Sequence, residues 1–448
     1  MAIKFFNTLG KTKEEFVPIN GKKVNIFVCG PTVYDYPHLG HGKTYTQFDV
    51  LARFLRYSGY EVFYLQNITD IDDKIINRAK DLGISWKDLS LKFEKIYLED
   101  MELLGNTSVT KYARATDHID QITKQVQALT NKGYAYKISD GIYFETSKFK
   151  EYGKLSGRTE LKEDDAVSRI DEAKEKHGWN DFCLWKNSKE GEPVWETSLG
   201  SGRPGWHIED TAITETFFGP QYDLHGGAID LIFPHHECEI AQMESASGLS
   251  PLVKYWLHTG FLNIDSKKMS KSKGNFTTIR SMVESGISPM AFRLWVLMAN
   301  YRTTMNWNEE AVNATETALK RLYGLYRDLG APEGGKIIEE YQKRFKEYLE
   351  DDLDTPRALT VLWDVLKDES LSPADKRATV LDFDKVLGLG FDNIKQDKMP
   401  EEVTSLVNER EEARKNKDFG KSDELRKKIN DLGYEVKDTN EGQKIYKI

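Results

Sequence analysis

The sequence predicts an α/β protein: a Rossmann-type parallel-sheet catalytic domain with an insertion, then a helical bundle, then a small C-terminal α+β unit. Three observations predict it. An apolar, β-branched run, Val24-Asn25-Ile26-Phe27-Val28-Cys29, stops at Gly30-Pro31 and leads through a helical pattern to a second apolar run, the order of a βαβ unit. Residues 280–390 carry apolar side chains mostly at helical spacing. The last stretch combines two charged helical patterns with a strand-like tail, Tyr434-Glu435-Val436, and a final Ile445-Tyr446.

Taken in order, the first helix follows His41-Gly42, with Phe48, Leu51 and Leu55 on one face and Gly59 as its stop. Val62-Phe63-Tyr64-Leu65 reads as the second strand. Residues 116–200 differ in character, with a strand pair near Tyr134 to Phe144 and a charge-rich stretch from Glu160 to Lys176. They read as an insertion between two halves of the catalytic domain, 1–115 and 201–258. A strand is expected to resume near Trp206. Residues 259–315 carry a basic loop. A bundle is expected over 316–395, where Leu319, Leu322, Tyr326 and Leu329, then Leu359, Leu362 and Leu366, recur at helical spacing. Gly388 to Pro400 reads as a linker to the terminal unit, 396–448.

Composition excludes some classes. The 448 residues carry a net charge of −9, so the chain is not a globally basic nucleic-acid protein, although local basic patches can still hold RNA. No run approaches the ~20 apolar residues of a membrane span, and the N-terminus lacks the apolar core of a signal peptide. Three cysteines, Cys29, Cys183 and Cys238, are too few for a disulfide framework and fit a reducing cytoplasm. In that setting a cysteine is a candidate metal ligand.

Three clusters carry chemistry. Pro37-His38-Leu39-Gly40-His41 lies between the first strand and helix, where free backbone N–H groups and the positive helix end favour phosphate. His38 and His41 can donate to phosphate oxygens that gain charge, and Gly40 lets backbone approach closely. Lys268-Met269-Ser270-Lys271-Ser272 is a short basic loop whose Lys268 and Lys271 suit the outer phosphates of ATP. Either motif alone has an ordinary reading as a loop. The third cluster is Cys29 with Trp206-His207-Ile208-Glu209-Asp210 and His235-His236-Glu237-Cys238-Glu239. His235 and Glu239, four apart, share a helix face. Trp206 and Asp210 share a face if that segment is a strand. A Cys/Asp/His/Glu set suits Zn²⁺.

The first two motifs resemble the "HIGH" and "KMSKS" signatures of class I aminoacyl-tRNA synthetases. The wider sequence is similar to the cysteinyl-tRNA synthetase family, through Phe27 to Asp35, Asn67 to Lys74, Asp181 to Lys186, Gly202 to His207 and Leu224 to Asp230. The resemblance implies a ligase that joins cysteine to ATP as cysteinyl-AMP, with release of pyrophosphate, and passes cysteine to the 3′ end of tRNA(Cys). It implies one Zn²⁺ that holds the substrate thiolate, Mg²⁺ with the ATP, and a monomeric cytoplasmic enzyme. Thr69 and Trp206 then match the amino-acid pocket, together with Cys29. Gly227 and Asp230 match the adenosine side, and Lys271 matches an ATP-contacting lysine. Residues 259–315 become the stem-contact region, and 396–448 an anticodon-binding unit.

One departure stands out. The family's usual zinc ligands are two Cys, one His and one Glu, and position 210 holds Asp in place of the second cysteine. Either Asp210 ligates directly, or Cys238 supplies the sulfur; the matching position favours Asp210. In the terminal unit, Arg410 to Lys428 holds eight basic and five acidic residues, which fits either an RNA-facing helix or a solvated one with paired charges. Two rival functions remain open: a ligase joining cysteine to an amino sugar in thiol biosynthesis, and a catalytically silent RNA-binding paralogue. Intact His38, His41, Lys268 and Lys271 count against the second.

Overall fold

The computed structural model describes residues 2–158, 174–268, 276–394, 400–439 and 442–447. Its centre is a five-stranded sheet of β1 (Lys23–Val28), β2 (Glu61–Ile68), β3 (Lys111–Arg114), β4 (Tyr222–Ala228) and β5 (Val253–Thr259). The strands run parallel in the order β5-β4-β1-β2-β3. Strand order reverses between β1 and β4, so the crevice at their carboxyl ends is the place where such sheets bind ligands. The β1 run ends there. The Cys29 backbone N–H donates to Gly226 O at 3.0 Å, and Gly30 follows. A Cβ on Gly30 would sit 1.7 Å from the Asn67 carbonyl oxygen, so only glycine fits this close approach.

Helix α1 (Leu39–Tyr57) returns from β1 to β2, burying Phe48, Leu51 and Leu55. The insertion lies between β3 and β4. It contributes the helix Ile119–Asn131 and an antiparallel five-stranded sheet, in the order Ala135–Ile138, Gly141–Phe144, Phe182–Asn187, Gly200–Pro204, Trp195–Thr197. Most of the charge-rich stretch from Glu160 to Lys176 lies outside the described residues.

One expectation is corrected. Trp206 to Asp210 is not a strand but the first turns of α2 (Trp206–Phe218). Pro204 closes the preceding strand, and Gly205, in extended backbone, caps the helix. The alternation Trp-His-Ile-Glu imitates a strand. The helix is buried nearly all round, His207 to Thr214 without a break, so it has no apolar stripe to reveal its period. Trp206 and Asp210 still share a face, now as an i, i+4 pair. Helix α3 (Glu237–Ser247) follows β4 through an irregular turn over Ile232–His236.

The later helices, Pro289–Leu297, Glu309–Arg327, Glu339–Glu350, Thr355–Lys367 and Pro373–Leu387, belong to the same compact unit, Met1–Asn393. Buried Arg293 joins them to α1, donating to Asp49 Oδ2 at 2.6 Å and to Leu387 O at 2.7 Å. The second unit, Ile394–Ile448, has helices Glu401–Lys415 and Phe419–Asp431 and an antiparallel hairpin of Tyr434–Thr439 and Gly442–Lys447. Its core is Val403, Ile429, Tyr434 and Val436. Here the paired-charge alternative holds for part of the basic stretch: Arg410, Arg414 and Arg426 all converge on Asp438, at 2.9, 3.0 and 2.8 Å. Arg410 is fully buried in doing so.

Candidate active site and metal cluster

The switch point gathers a buried donor cluster. Cys29 Sγ lies 3.2 Å from Asp210 Oδ2 and 3.8 Å from Glu239 Oε1. His235 Nε2 lies 3.1 Å from the same Asp210 oxygen and 3.0 Å from Glu239 Oε1. A tetrahedral zinc site with bonds of about 2.0–2.3 Å has edges of about 3.3–3.7 Å, and these four separations lie close to that. The donor set therefore fits a zinc ion. Its chemistry points the same way. Burial first, then the nearby Glu239 and Asp210 carboxylates, pushes the Cys29 thiol well above its ordinary range. Burial and Asp210 likewise push Glu239 up. Three acids packed this closely out of water call for a cation.

The four side chains are held from behind. Asn67 Nδ2 donates to Asp210 Oδ1 at 2.7 Å, which leaves Oδ2 facing the cluster. Asn67 is itself fixed, since its Oδ1 accepts from Gly30 N at 2.5 Å. Trp206 stacks on His235 at 4.2 Å between centroids, and His207 Nδ1 meets His235 Nδ1 at 2.7 Å. Such outer contacts set ligand orientation.

A second set overlaps the first. His225 Nε2 and His236 Nε2 lie 3.4 and 3.2 Å from Cys29 Sγ, and with Glu239 they make another four-donor group. Tyr222 OH holds His225 Nδ1 at 2.7 Å, and His258 Nε2 holds His236 Nδ1 at 2.9 Å. Burial pushes the imidazoles of His207, His225 and His236 well down, and that of His258 down to about 3, so all four are neutral. Three of the nine histidines, His225, His235 and His236, thus stand beside the Cys29 thiol, with His207 and His258 behind them. Sequence reasoning singled out only His235 among them; the His225 in Leu224-His225-Gly226-Gly227 and the doubled His235-His236 were the available signals. Cys238 is buried on α3 with its thiol 3.6 Å from Tyr152 OH, and it belongs to neither donor group.

The His38–His41 segment opens α1, the helix whose Tyr45 OH donates to Cys29 O at 3.1 Å. His38 caps α1: its Nδ1 accepts from His41 N, and His41 Nδ1 accepts from His38 N, both at 3.3 Å. The two rings stack at 3.8 Å, and Phe276 packs edge-on against His38. Gly40 is in the same first turn. The segment after the second motif runs against it, Leu39 N donating to Thr277 O and Ile279 N to Pro37 O, each at 3.1 Å. Residues 277 and 279 therefore meet the first motif. Lys268 is placed only by its backbone, which pairs with Asn263, and Lys271 lies outside the described residues. Thr69 is buried next to the cluster, donating to Glu209 Oε2 at 3.0 Å. Gly227, at the end of β4, faces the His236 ring, where a Cβ would come within 2.9 Å. Asp230 is exposed on the turn Ile229–Leu231 just beyond.

Residues 15–317 match the family described as the class I (C) tRNA synthetase catalytic domain, and residues 396–445 match the cysteinyl-tRNA ligase anticodon binding domain. The cysteine–tRNA ligase of Caldicellulosiruptor saccharolyticus is 41% identical over the whole of both chains. The chain belongs to the cysteine–tRNA ligase family. The ligases of Thermococcus gammatolerans (41% identical, 99% of this chain and 98% of that one) and Clostridioides difficile (40%, all of both) agree. Solved structures share the fold at low identity. The methionyl-tRNA synthetase of Mycobacterium tuberculosis superposes with a TM-score of 0.57 at 15% identity, over 86% of this chain and 94% of that one. The leucyl enzyme of Agrobacterium radiobacter gives 0.60 at 11% identity, over 84% of both. Among the described residues no helix is long and apolar enough to cross a membrane.

Proposed function

We propose that the chain activates L-cysteine with ATP and transfers it to tRNA(Cys). The cysteine carboxylate attacks the α-phosphorus, pyrophosphate leaves, and the terminal adenosine hydroxyl of the tRNA then displaces AMP from the cysteinyl carbonyl. The observation that carries this reading is the meeting of a buried Cys/Asp/His/Glu cluster and a His38-capped helix start at one sheet switch point. In this family membership, the match at 396–445 favours tRNA over an amino sugar as acceptor.

Cys29, Asp210, His235 and Glu239 hold a zinc ion in this reading, chosen over the histidine-rich set because they bring three anionic donors to a dication. Zinc, when bound, supplies a Lewis acid that holds a thiolate and gives a hydroxyl no equal partner. The chain's own groups do the rest. Trp206 and Thr69 wall the amino acid, with Cys29 at its base. His38 and His41 donate to the phosphate oxygens that gain charge, while Gly40 opens the approach. Lys268 and Lys271 draw off the pyrophosphate, with Mg²⁺ accompanying ATP. Gly227 and Asp230 take the adenosine. Residues 259–315 contact the acceptor stem, 316–395 form the bundle, and 396–448 read the anticodon. The enzyme works as a cytoplasmic monomer.

The test is cysteine-dependent exchange of labelled pyrophosphate into ATP, followed by addition of tRNA(Cys). Exchange with cysteine but not serine, then acid-precipitable cysteinyl-tRNA, is expected. No exchange would point to a silent paralogue, and exchange without acylated tRNA would point to a different acceptor.

A further inference from the structure

Glu209 is a buried carboxylate that the reading above leaves without work. It sits on α2, 1% exposed, one residue before Asp210. Its Oε2 accepts from Thr69 Oγ1 at 3.0 Å. Its Oε1 has no hydrogen-bond partner among the described residues. A buried carboxyl oxygen left unpaired is unfavourable unless something arrives to meet it.

Glu209 lines a cavity of about 70 Å³ that it shares with Thr32, Asp72, Trp206 and His207. Two of the three cations at that cavity are engaged by a carboxylate, Lys186 Nζ lying 3.1 Å from Asp73 Oδ2 and Arg203 also pairing with Asp73, while Lys74 Nζ lies over the Tyr34 ring at 5.7 Å. The carboxylate of nearby Asp70 is taken up by Thr116, through its N–H at 3.0 Å and its hydroxyl at 2.5 Å. Glu209 Oε1 is an unfilled acceptor in this wall, within a negative field from Asp210, Asp70 and Asp72. The position is tied to the metal cluster by a short chain of contacts. Glu209 accepts from Thr69, Asn67 Nδ2 reaches Thr69 Oγ1 at 3.3 Å, and the same Nδ2 donates to Asp210.

We infer that Glu209 receives the α-ammonium of the amino-acid substrate, making it a specificity-determining residue for a zwitterionic thiol over a plain thiol acid. The inference rests on the ligase reading. A cysteine whose sulfur lies at the Cys29 cluster has its nitrogen three bonds away, beside the Trp206 wall. An ammonium offers three donors and no acceptor, the complement of an orphan carboxylate oxygen. Thr69 then has a defined part: its hydroxyl occupies Oε2 and so leaves Oε1 for the ligand.

The test compares wild type with Glu209→Gln in pyrophosphate exchange, using cysteine as substrate and 3-mercaptopropanoate, which lacks only the amino group, as competitor. Thr69 can still donate to the Gln carbonyl, which turns the amide nitrogen toward the pocket. KM for cysteine is expected to rise by at least about 30-fold, the lower end for losing one partner of a buried charge pair. KM for ATP, the Ki of 3-mercaptopropanoate and bound zinc should stay within about threefold of wild type. Equal weakening of cysteine and 3-mercaptopropanoate, no weakening of either, or loss of zinc would overturn the inference by making Glu209 a structural residue. A wild-type enzyme that shows no cysteine-dependent exchange would instead sink the ligase reading, and this inference with it.

Discussion

Replacing Asp210 by Asn tests the oxygen ligand most sharply, because the geometry forbids a silent substitution. Asp210 Oδ1 accepts from Asn67 Nδ2 at 2.7 Å, and Oδ2 faces Cys29 and His235 at 3.2 and 3.1 Å. An Asn side chain must put its NH₂ in one of those two places. Toward Asn67 it sets donor against donor, and Asn67 cannot turn over because its own Oδ1 holds Gly30 N. Toward the cluster it points two protons at the zinc position. Either way a ligand and one negative charge are lost. Removing a partner that merely orients a ligand costs about 10–100-fold in metal affinity. Losing the ligand itself should then cost at least about 100-fold, or roughly 2.7 kcal/mol. Asn67→Ala should fall within the 10–100-fold range, and Asp210→Cys, which restores an anionic donor, should stay near wild type. Competition with a chromophoric zinc chelator at neutral pH measures all three. Zinc binding by Asp210→Asn like that of wild type, or a loss in Cys238→Ala as large as in Asp210→Asn, would refute Asp210 as the oxygen ligand.

Other outcomes follow from the same structure. His41→Asn should lower kcat for adenylate formation by about 100–1000-fold with little change in KM for cysteine, as expected for a lost transition-state donor; a change confined to KM would contradict the role. Burial pushes the Lys43 ammonium from an ordinary 10.5 down to about 7, while Gly260 O, Tyr301 O and Gln47 Oε1 surround it at 2.8, 3.3 and 3.2 Å. The folded chain binds that proton more weakly than the unfolded one, so the associated stability is full above about 10.5 and is lost as pH falls toward 7, by roughly 4–5 kcal/mol at 1.36 kcal/mol per pKa unit. Lys43→Met should flatten this slope in urea melts between pH 7 and 10, and an unchanged slope would show Lys43 to titrate normally. Arg410→Met should destabilise the terminal unit by about 2 kcal/mol or more, since it leaves a buried place without its Asp438 and Gln443 contacts. Faster proteolysis of the full chain within 400–447 would report this, with cysteine-dependent pyrophosphate exchange unchanged; equal loss of exchange would contradict it.

Much of this site was legible in the sequence, and the reasons are local. Cys29 could be placed because β1 is a plain apolar strand ended by glycine and proline, which marks the carboxyl end of a parallel strand. His235 and Glu239 could be paired because four residues is one turn; the structure reaches the same pairing although the turn at Ile232–His236 is irregular. The strand reading at Trp206 failed because a helix buried on all sides has no polar face. The sequence displays the other histidines but not their convergence, for a topological reason. His225 and His258 stand on β4 and β5, and the approach of His225 to Cys29 and of His258 to His236 depends on strand order rather than spacing. The convergence of Arg410, Arg414 and Arg426 on Asp438 likewise depends on a hairpin folding back over two helices, so a charge count alone could not separate an RNA-facing stretch from a paired one.

X-ray absorption at the zinc edge, with and without cysteine, tests selection by a metal-held thiolate most directly. The zinc-loaded protein should show one sulfur neighbour, from Cys29, and a second on adding cysteine, with no change on adding serine. Two sulfurs before cysteine is added, or none gained after it, would contradict the account.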